Sequence, residues 1–451
     1  MRPSKRFLQF AIAWNALACV FLLLPHFRVF AASEIFQLNL IWLTSGILLI
    51  VAAIYDARRN QNLSAVNVTR RLANNLALGV KTEIHLDISN PYPFDLHLKL
   101  TELSPDMIQI TGLPQEIVIA ANTSGVIQYF IVPVVRGNAE FGQTELLINS
   151  RWGLWQRMTR CGEASKLKIY PNFSPLAHYA TMNMEQNIQQ MGIHLAKRRG
   201  EGLEFHQLRE FREGDALRQI DWKATARQRK PISREYQDER DQDIIFLLDC
   251  GRRLRTKDEG GYHQKSYSHF DHALNALLMT AYVALRQGDS TGLLSFAGEQ
   301  RWLSPLKGKT AINTLLNQLY DLHSSTQSSD FLQAAQQLMK RHRKRSLIVV
   351  ISNIRDEDSE DLIAMYRLLS KQHIVMVASL REDFLLDNIK RDVENFNDAL
   401  IYCGTQQFLQ NRRLLLQKLK MAGVMIVDSA PQQLHIELVN EYLKMKRSGR
   451  L

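Results

Sequence analysis

The sequence predicts a multidomain protein made of a two-helix transmembrane hairpin, an all-β sandwich-like domain and an α/β doubly wound domain. Three observations predict it. Two long uncharged runs stand near the amino end, short alternating segments with turn punctuation follow, and apolar strand-like runs then alternate with helical ones. The 451 residues are too many for one core, since a domain takes about 100–200 residues. A hydrophobic share of 45% with 22% charged residues excludes a collagen-like chain, a wholly disordered chain and a polytopic membrane protein. The expected divisions are residues 1–60 for the hairpin, 61–165 for the sandwich-like domain, 166–240 for a linker and signature segment, and 241–451 for the α/β domain.

The first span is the run from Phe7 to Leu24 and the second the run from Ile35 to Tyr55, neither holding a charged residue. A helix of roughly 20 apolar residues crosses the hydrocarbon layer, so both runs are long enough. Pro25 suits the end of the first. A cleaved signal peptide is the competing reading, because Arg2, Lys5 and Arg6 resemble its basic leader. Its apolar region is only ~7–15 residues, however, and here a second span follows at once. Arg2, Lys5 and Arg6 precede the first span, and Arg58, Arg59, Arg70 and Arg71 follow the second. Only Arg28 and Glu34, with His26, lie between them. By the positive-inside rule both ends face the cytoplasm. Four scattered cysteines, Cys19, Cys161, Cys250 and Cys403, with no C-x-x-C pair, fit reduced thiols in that compartment.

The sandwich-like domain is read from short segments such as Lys81–Ser89, Leu96–Leu100, Glu116–Ala120, Val126–Val135 and Thr144–Ile148. In the first, Ile84, Leu86 and Ile88 alternate with Glu83, His85 and Asp87, the period of a half-buried strand. Separators such as Asn90-Pro91 and Ser104-Pro105 supply the turns. From about residue 240 the strands read Asp243–Asp249, Thr291–Ala297, Ser346–Asn353, His373–Leu380 and Val424–Asp428. Helices are expected near 270–287, 309–322, 330–342, 359–371, 407–422 and 434–446. Strands alternating with helices make a doubly wound sheet, and such sheets bind ligands outside the carboxyl ends of their strands. Here those ends carry Asp249, Ala297-Gly298 and Asn353.

The densest stretch, residues 201–240, holds nine Lys/Arg and nine Asp/Glu. Balanced charge suits an internally paired surface rather than a phosphate-binding stripe, which carries one sign. Gly214-Asp215 signals a turn, and Asp221 can cap a short helix through Trp222 to Arg227.

The run R-E-F-R-E-G-D-x-x-R-x-I-D-W-K-A-T-A-R, with S-R-E-Y and F-L-L-D after it, resembles a bacterial family known as domain of unknown function 58. Val135-Arg136-Gly137 and Trp152-Gly153-Leu154 resemble its sandwich-region pattern. The resemblance implies two membrane spans, a β-sandwich region and a domain like von Willebrand factor type A. It implies no defined reaction, but it does imply a partnership with MoxR-type AAA+ ATPases in protein-complex maturation or stress response. The expected interaction or structural residues are Arg209, Arg212, Gly214, Asp215, Arg218, Asp221, Trp222, Arg227, Arg234 and Glu235. Those residues serve equally well as ion pairs that hold the segment in place.

Type A domains often bind a divalent cation through D-x-S-x-S, a distant Thr and a distant Asp, a set of oxygens suited to a hard cation. Here the positions read Asp249, Gly251 and Arg253, with Asn353 in place of the later carboxylate and Thr310 as a loose match for the threonine. We therefore expect a vestigial metal site, no bound metal and no cofactor, with Arg253 or Arg252 pairing with Asp249.

Other signals are weaker. Gly308-Lys309-Thr310 ends like a phosphate loop, but its first glycine position is Leu303. Gly288 to Gly292 matches G-x-S-x-G with a helix before it and a strand after it, the reverse of a nucleophile elbow. His263, His269 and His272 lie in or beside a polar loop.

No catalytic set can be named. The leading expectation is a membrane-anchored, cytoplasm-facing protein-interaction module. One alternative is a metal-dependent hydrolase using Asp238, Glu239, Asp241 and Asp243. Another is a nucleic-acid or anionic-lipid binder using Lys340 to Arg345, disfavoured for nucleic acid because no aromatic residues are interleaved. The net charge of +11 suits nucleic acid only if it is clustered, and residues 1–60 hold +4 of it (six Lys/Arg less two Asp/Glu).

Overall fold

The structure is a computed structural model describing residues 1–23, 32–59, 66–172, 204–212, 215, 217–237, 242–257 and 267–448. The chain divides into two compact units, Met1–Ile169 and Tyr170–Leu451.

The first unit opens with a two-residue strand β1 (Arg2–Pro3) and two helices, α1 (Lys5–Leu23) and α2 (Ala32–Arg59). Among the described residues one helix is long and apolar enough to cross a membrane, through Asn39–Arg58 of α2, whose mean hydropathy is 2.0. The helices pack through Trp14 and Trp42, whose rings stack 4.3 Å apart. The Trp14 indole donates to the Trp42 carbonyl and to Ser45 Oγ, both at 3.3 Å, and Trp42 Nε1 donates to the Trp14 carbonyl at 3.2 Å. Aromatic N–H groups withdrawn from water take partners of this kind.

Eleven further strands complete this unit: β2 (Asn67–Arg71), β3 (Asn75–Ala77), β4 (Thr82–Ser89), β5 (Leu96–Glu102), β6 (Ile108–Thr111), β7 (Gln115–Ile119), β8 (Ser124–Pro133), β9 (Gly137–Phe141), β10 (Thr144–Asn149), β11 (Trp155–Cys161) and β12 (Ser165–Tyr170). They form sheets ordered β1-β11-β10-β5-β7, β2-β4-β8-β6 and β3-β12-β9. Their inward residues share one core: Ile84, Leu86 and Ile88 from β4 meet Leu96, Leu98 and Leu100 from β5 and Ile148 from β10. The alternation read in Lys81–Ser89 is the burial pattern observed over Thr82–Ser89, as a sheet with one dry face requires. This core also holds an ion pair. Arg70 donates to Glu102 at 2.7 Å and Thr144 donates to Glu102 at 2.8 Å. Burial raises the Glu102 carboxyl above its ordinary value, against the opposing pull of Arg70.

The second unit opens with a hairpin, β13 (Glu204–Glu210) and β14 (Ile232–Gln237), with a short helix, Trp222–Gln228, between the strands. A six-stranded sheet follows: β15 (Asp243–Asp249), β16 (Ser290–Phe296), β17 (Trp302–Leu306), β18 (Leu347–Ser352), β19 (Ile374–Leu380) and β20 (Met425–Ser429). The order is β17-β16-β15-β18-β19-β20, parallel except for β17. Strands β15, β16 and β18 are buried throughout, as parallel strands covered on both faces are. Ile244, Phe246 and Leu248 pack with the helices His269–Arg286 and Leu434–Arg447. Ile245 and Leu247 face the other way, towards Phe331–Arg341 and Ser359–Leu369. The central strand therefore feeds two cores by alternation alone.

From residue 241 onward the expected strands and helices are present, with two additions and one extension. β17 contains Pro305, which an edge strand tolerates because it donates nothing outward. A helix, Asp383–Lys390, lies where none was read. The helix expected near 407–422 runs over Phe396–Met421, capped by Asn395, which accepts from the Asp398 amide at 2.9 Å. Its first turns leave Phe396, Leu400 and Ile401 exposed, so no buried stripe marks its start.

Candidate functional site

The α/β unit places polar residues at the carboxyl ends of β15 and β18. Asp249 ends β15 and is fully buried. Its Oδ1 accepts from the Gly251 amide at 2.7 Å, and its Oδ2 accepts from Ser352 Oγ at 2.5 Å. Ser329 Oγ stands 2.8 Å from both oxygens. Burial pushes the Asp249 carboxyl up, opposed by the Ser352, Gly251 and Ser329 hydrogen bonds and by the charge of Arg253.

Gly251 is required by this packing. A Cβ there would lie 2.6 Å from Ser329 Oγ and 3.0 Å from the Gln327 carbonyl, so the hydroxyl of Ser329 fills the space a side chain at 251 would take. The hydroxyls touching Asp249 therefore come from Ser329 and Ser352, while Thr310 sits in the first turn of the helix Lys309–Leu319.

The pairing expected between Arg253 and Asp249 is not made. Arg253 donates instead to Asp358, and to Glu357 at 3.3 Å. Two carboxylates in the turn Asp356–Asp358 out-compete one already surrounded by donors. Asn353 is buried and donates from Nδ2 to Glu382 at 2.7 Å, and Arg355 reaches the same carboxylate at 3.2 Å. Around Asp249 the oxygens number one carboxylate and two hydroxyls. Among the described residues no three His, Cys, Asp or Glu gather as metal ligands. A hard cation takes about 6–8 oxygens, some of which can be water.

The second cluster is the hairpin. Arg209 grips Asp215 with both terminal nitrogens, at 2.8 and 2.7 Å, and the Arg212 amide donates to the same carboxylate at 2.9 Å. The Arg209 fork holds Asp215 below the ordinary carboxylate range. Asp221 caps Trp222–Gln228, accepting from the Lys223 and Ala224 amides at 3.0 Å, while Arg234 Nε donates to its other oxygen at 2.9 Å. The Ala224 amide, with Arg234 after it, lowers this carboxyl too. Thr225 Oγ1 accepts from the Ile232 amide at 3.0 Å, tying helix to strand. Arg209 with Asp215 and Asp221 with Arg234 thus make two ion pairs within one hairpin.

Arg212 joins the first of these pairs through its backbone amide. Arg218 and Arg227 are exposed, and Trp222 is 71% exposed. Glu235 lies opposite Gln207 in the strand register, and Gly214 falls outside the described residues. Beside Trp222 in sequence, Leu217 is 75% exposed. Sequence reasoning passed over Leu217. The signal was there: an apolar residue in a turn among nine acids and nine bases, with no periodicity to bury it.

Asp238, Glu239, Asp241 and His263 lie outside the described residues. Asp243 is buried and accepts from Ser290 Oγ at 2.6 Å, with Lys344 at 3.1 Å. Part of the basic run Lys340 to Arg345 is therefore occupied within the fold. His269 is buried at the start of its helix.

Residues 207–388 match the family described as protein of unknown function DUF58. The matched DUF58 region takes in the hairpin from Gln207 onward and the sheet as far as β19. No match is found among curated proteins. Among solved structures, the chain is similar to an aerotolerance-related membrane protein from Bacteroides fragilis carrying multiple mutations to serine. Identity is 14%, with 46% of this chain and 98% of that one covered and a TM-score of 0.28. It is also similar to α2-macroglobulin from Salmonella (14% identity, 23% of this chain, TM-score 0.19) and from Escherichia coli (15%, 24%, 0.21). The chain spans only 7% and 17% of the length of those two. At these TM-scores the likenesses assign neither fold nor function.

Proposed function

We propose that this chain is a membrane-anchored, cytoplasm-facing docking module whose hairpin presents Trp222 and Leu217 to a protein partner. The partner we propose is a MoxR-type AAA+ ATPase, acting in protein-complex maturation or stress response. In this reading α1 and α2 form a transmembrane hairpin, with the basic residues at its base facing the cytoplasm. The α/β unit is a type A-like domain whose cation site is degenerate, with a hydrogen-bonded carboxyl at Asp249.

The observation that carries the reading is the contrast within the hairpin. Four of its charged residues are paired, Arg209 with Asp215 and Asp221 with Arg234, while its tryptophan and a leucine stand in solvent. Exposed aromatic anchors beside arginine are what interface hot spots are made of, and a large exposed apolar side chain needs a reason. Exposed apolar side chains along both helices, among them Phe10, Ile12, Phe36 and Leu48, support the membrane hairpin.

The test is photocrosslinking in intact membranes from a benzophenone amino acid placed at Trp222. The reading expects a crosslinked ATPase subunit from position 222 and none from an exposed control position such as Lys166. Crosslinks to no protein, or the same products from both positions, would count against it.

A further inference from the structure

The turn between β10 and β11 is built into the base of α1 and α2. Asp56, near the end of α2, is buried. It accepts from Ser150 Oγ at 2.5 Å and from the Trp152 amide at 3.4 Å. Trp155 Nε1 donates to the Ala53 carbonyl at 2.9 Å. On the other helix, Ser4 Oγ donates to the Gly153 carbonyl at 2.5 Å, and the Ser4 amide donates to the Leu154 carbonyl at 2.9 Å. The rings of Phe7 and Trp155 stack at 5.6 Å, and those of Tyr55 and Trp152 lie 5.4 Å apart. One turn of the β-rich unit is therefore held at a fixed height against both helices.

That height is marked by charge. Arg2, Lys5, Arg6, Arg58 and Arg151 are all exposed there. Arg2 sits opposite Gln156 in the strand register, and the Arg6 guanidinium would lie 3.5 Å from a Cβ at Gly153. Among the described residues none of the five makes an ion pair. The one carboxylate built into the junction, Asp56, is buried and spent on the turn. Five cations thus surround an aromatic cluster, Tyr55, Trp152 and Trp155, where an apolar helix pair ends.

We propose that this collar binds the phosphate headgroups of anionic phospholipids and seats the β-rich unit on the leaflet surface. The proposal rests on the membrane reading of α1 and α2 given above. Tyrosine and tryptophan settle at the headgroup level, where an amphipathic ring has both surroundings it needs. Arginine and lysine at the end of a span reach outward to phosphate. Each cation near an anionic leaflet adds roughly fivefold to the attraction. Glycerophosphate headgroups offer what the five side chains lack, a counter-charge that needs no protein carboxylate. Trp152, itself 52% exposed, becomes an interfacial anchor instead of a stray surface residue.

The test uses the full chain in nanodiscs of phosphatidylcholine with and without phosphatidylglycerol. The preference for spin-labelled phosphatidylglycerol over phosphatidylcholine is read by electron paramagnetic resonance. Wild type should prefer the anionic lipid. The triple variant R6Q/R58Q/R151Q should lose at least tenfold of that preference, and R6K/R58K/R151K should keep it. K99Q/K166Q/K168Q, which removes as many charges elsewhere on the unit, should leave it unchanged. Equal preference in wild type and the triple glutamine variant would overturn the proposal, as would an equal loss in the lysine-to-glutamine control. The membrane reading fails separately if alkaline carbonate strips the wild-type chain from cell membranes. Firm insertion without any anionic preference would sink the collar alone.

Discussion

Asp249 is the residue whose protonation the fold controls most directly. Burial raises its carboxyl above the ordinary ~3.9, so the folded protein holds this proton to higher pH than the unfolded chain does. Its contribution to stability is then complete below about pH 4 and falls as pH climbs through the raised folded-state value. The advantage of wild type over Asp249→Asn, followed by thermal denaturation across pH, should be largest in acid and shrink towards neutrality. A flat difference would mean that the carboxyl does not titrate within the fold. Gly251 gives a second check. Gly251→Ser must displace Ser329 or the Gln327 carbonyl, so it should destabilise by about 1–3 kcal/mol in urea unfolding, not recreate a ligand. The position of Asp249 at a strand end was legible from an apolar run closing on a carboxylate. The partner of Arg253 was not, because Asp358 lies 105 residues along the chain and no local spacing announces it. Ser329 was missed for the same reason.

Between elements, two contacts decide how the layers are held. Asp289, just before β16, is fully buried and accepts from Tyr442 at 2.5 Å and from Lys446 at 2.7 Å. These bonds fasten the last helix, Leu434–Arg447, to the sheet. Asp289→Ala leaves Lys446 buried without its counter-charge and should cost about 3–5 kcal/mol in denaturant unfolding. In the other unit, α1 and α2 approach closely because position 46 has no side chain. A Cβ on Gly46 would fall 2.2 Å from the Trp14 ring. Gly46→Leu should therefore part the helices, seen as loss of a disulfide crosslink engineered between them, and Trp14→Ala should restore it in the double variant. Periodicity revealed the strands well, since Thr82–Ser89 alternates and Asp243–Asp249 is apolar throughout. It failed at β17, where Pro305 obscures an edge strand, and at Phe396–Met421, whose first turns expose their apolar residues. A pattern can be read only where burial writes it.

For the whole molecule, the sequence pointed to balanced charge in residues 201–240 and left two roles open, recognition or internal pairing. We propose that the two roles fall to different residues. Arg209 pairs with Asp215 and Asp221 with Arg234, and Leu217 and Trp222 are exposed. Composition could not separate these roles because both use the same residue types, and only the folded segment between β13 and β14 brings Asp215 to Arg209 and Asp221 to Arg234. Most of the net positive charge is likewise spread over the chain, with a share at the base of α1 and α2. The most direct test of the docking account is a binding titration with the full chain in nanodiscs and a purified MoxR-type ATPase. It compares wild type with L217A/W222A, whose replaced side chains are exposed and should leave the thermal midpoint unchanged. The account predicts saturable binding by wild type and at least a tenfold weaker dissociation constant for the double variant. Equal binding by the two proteins, or no binding by wild type, would contradict it.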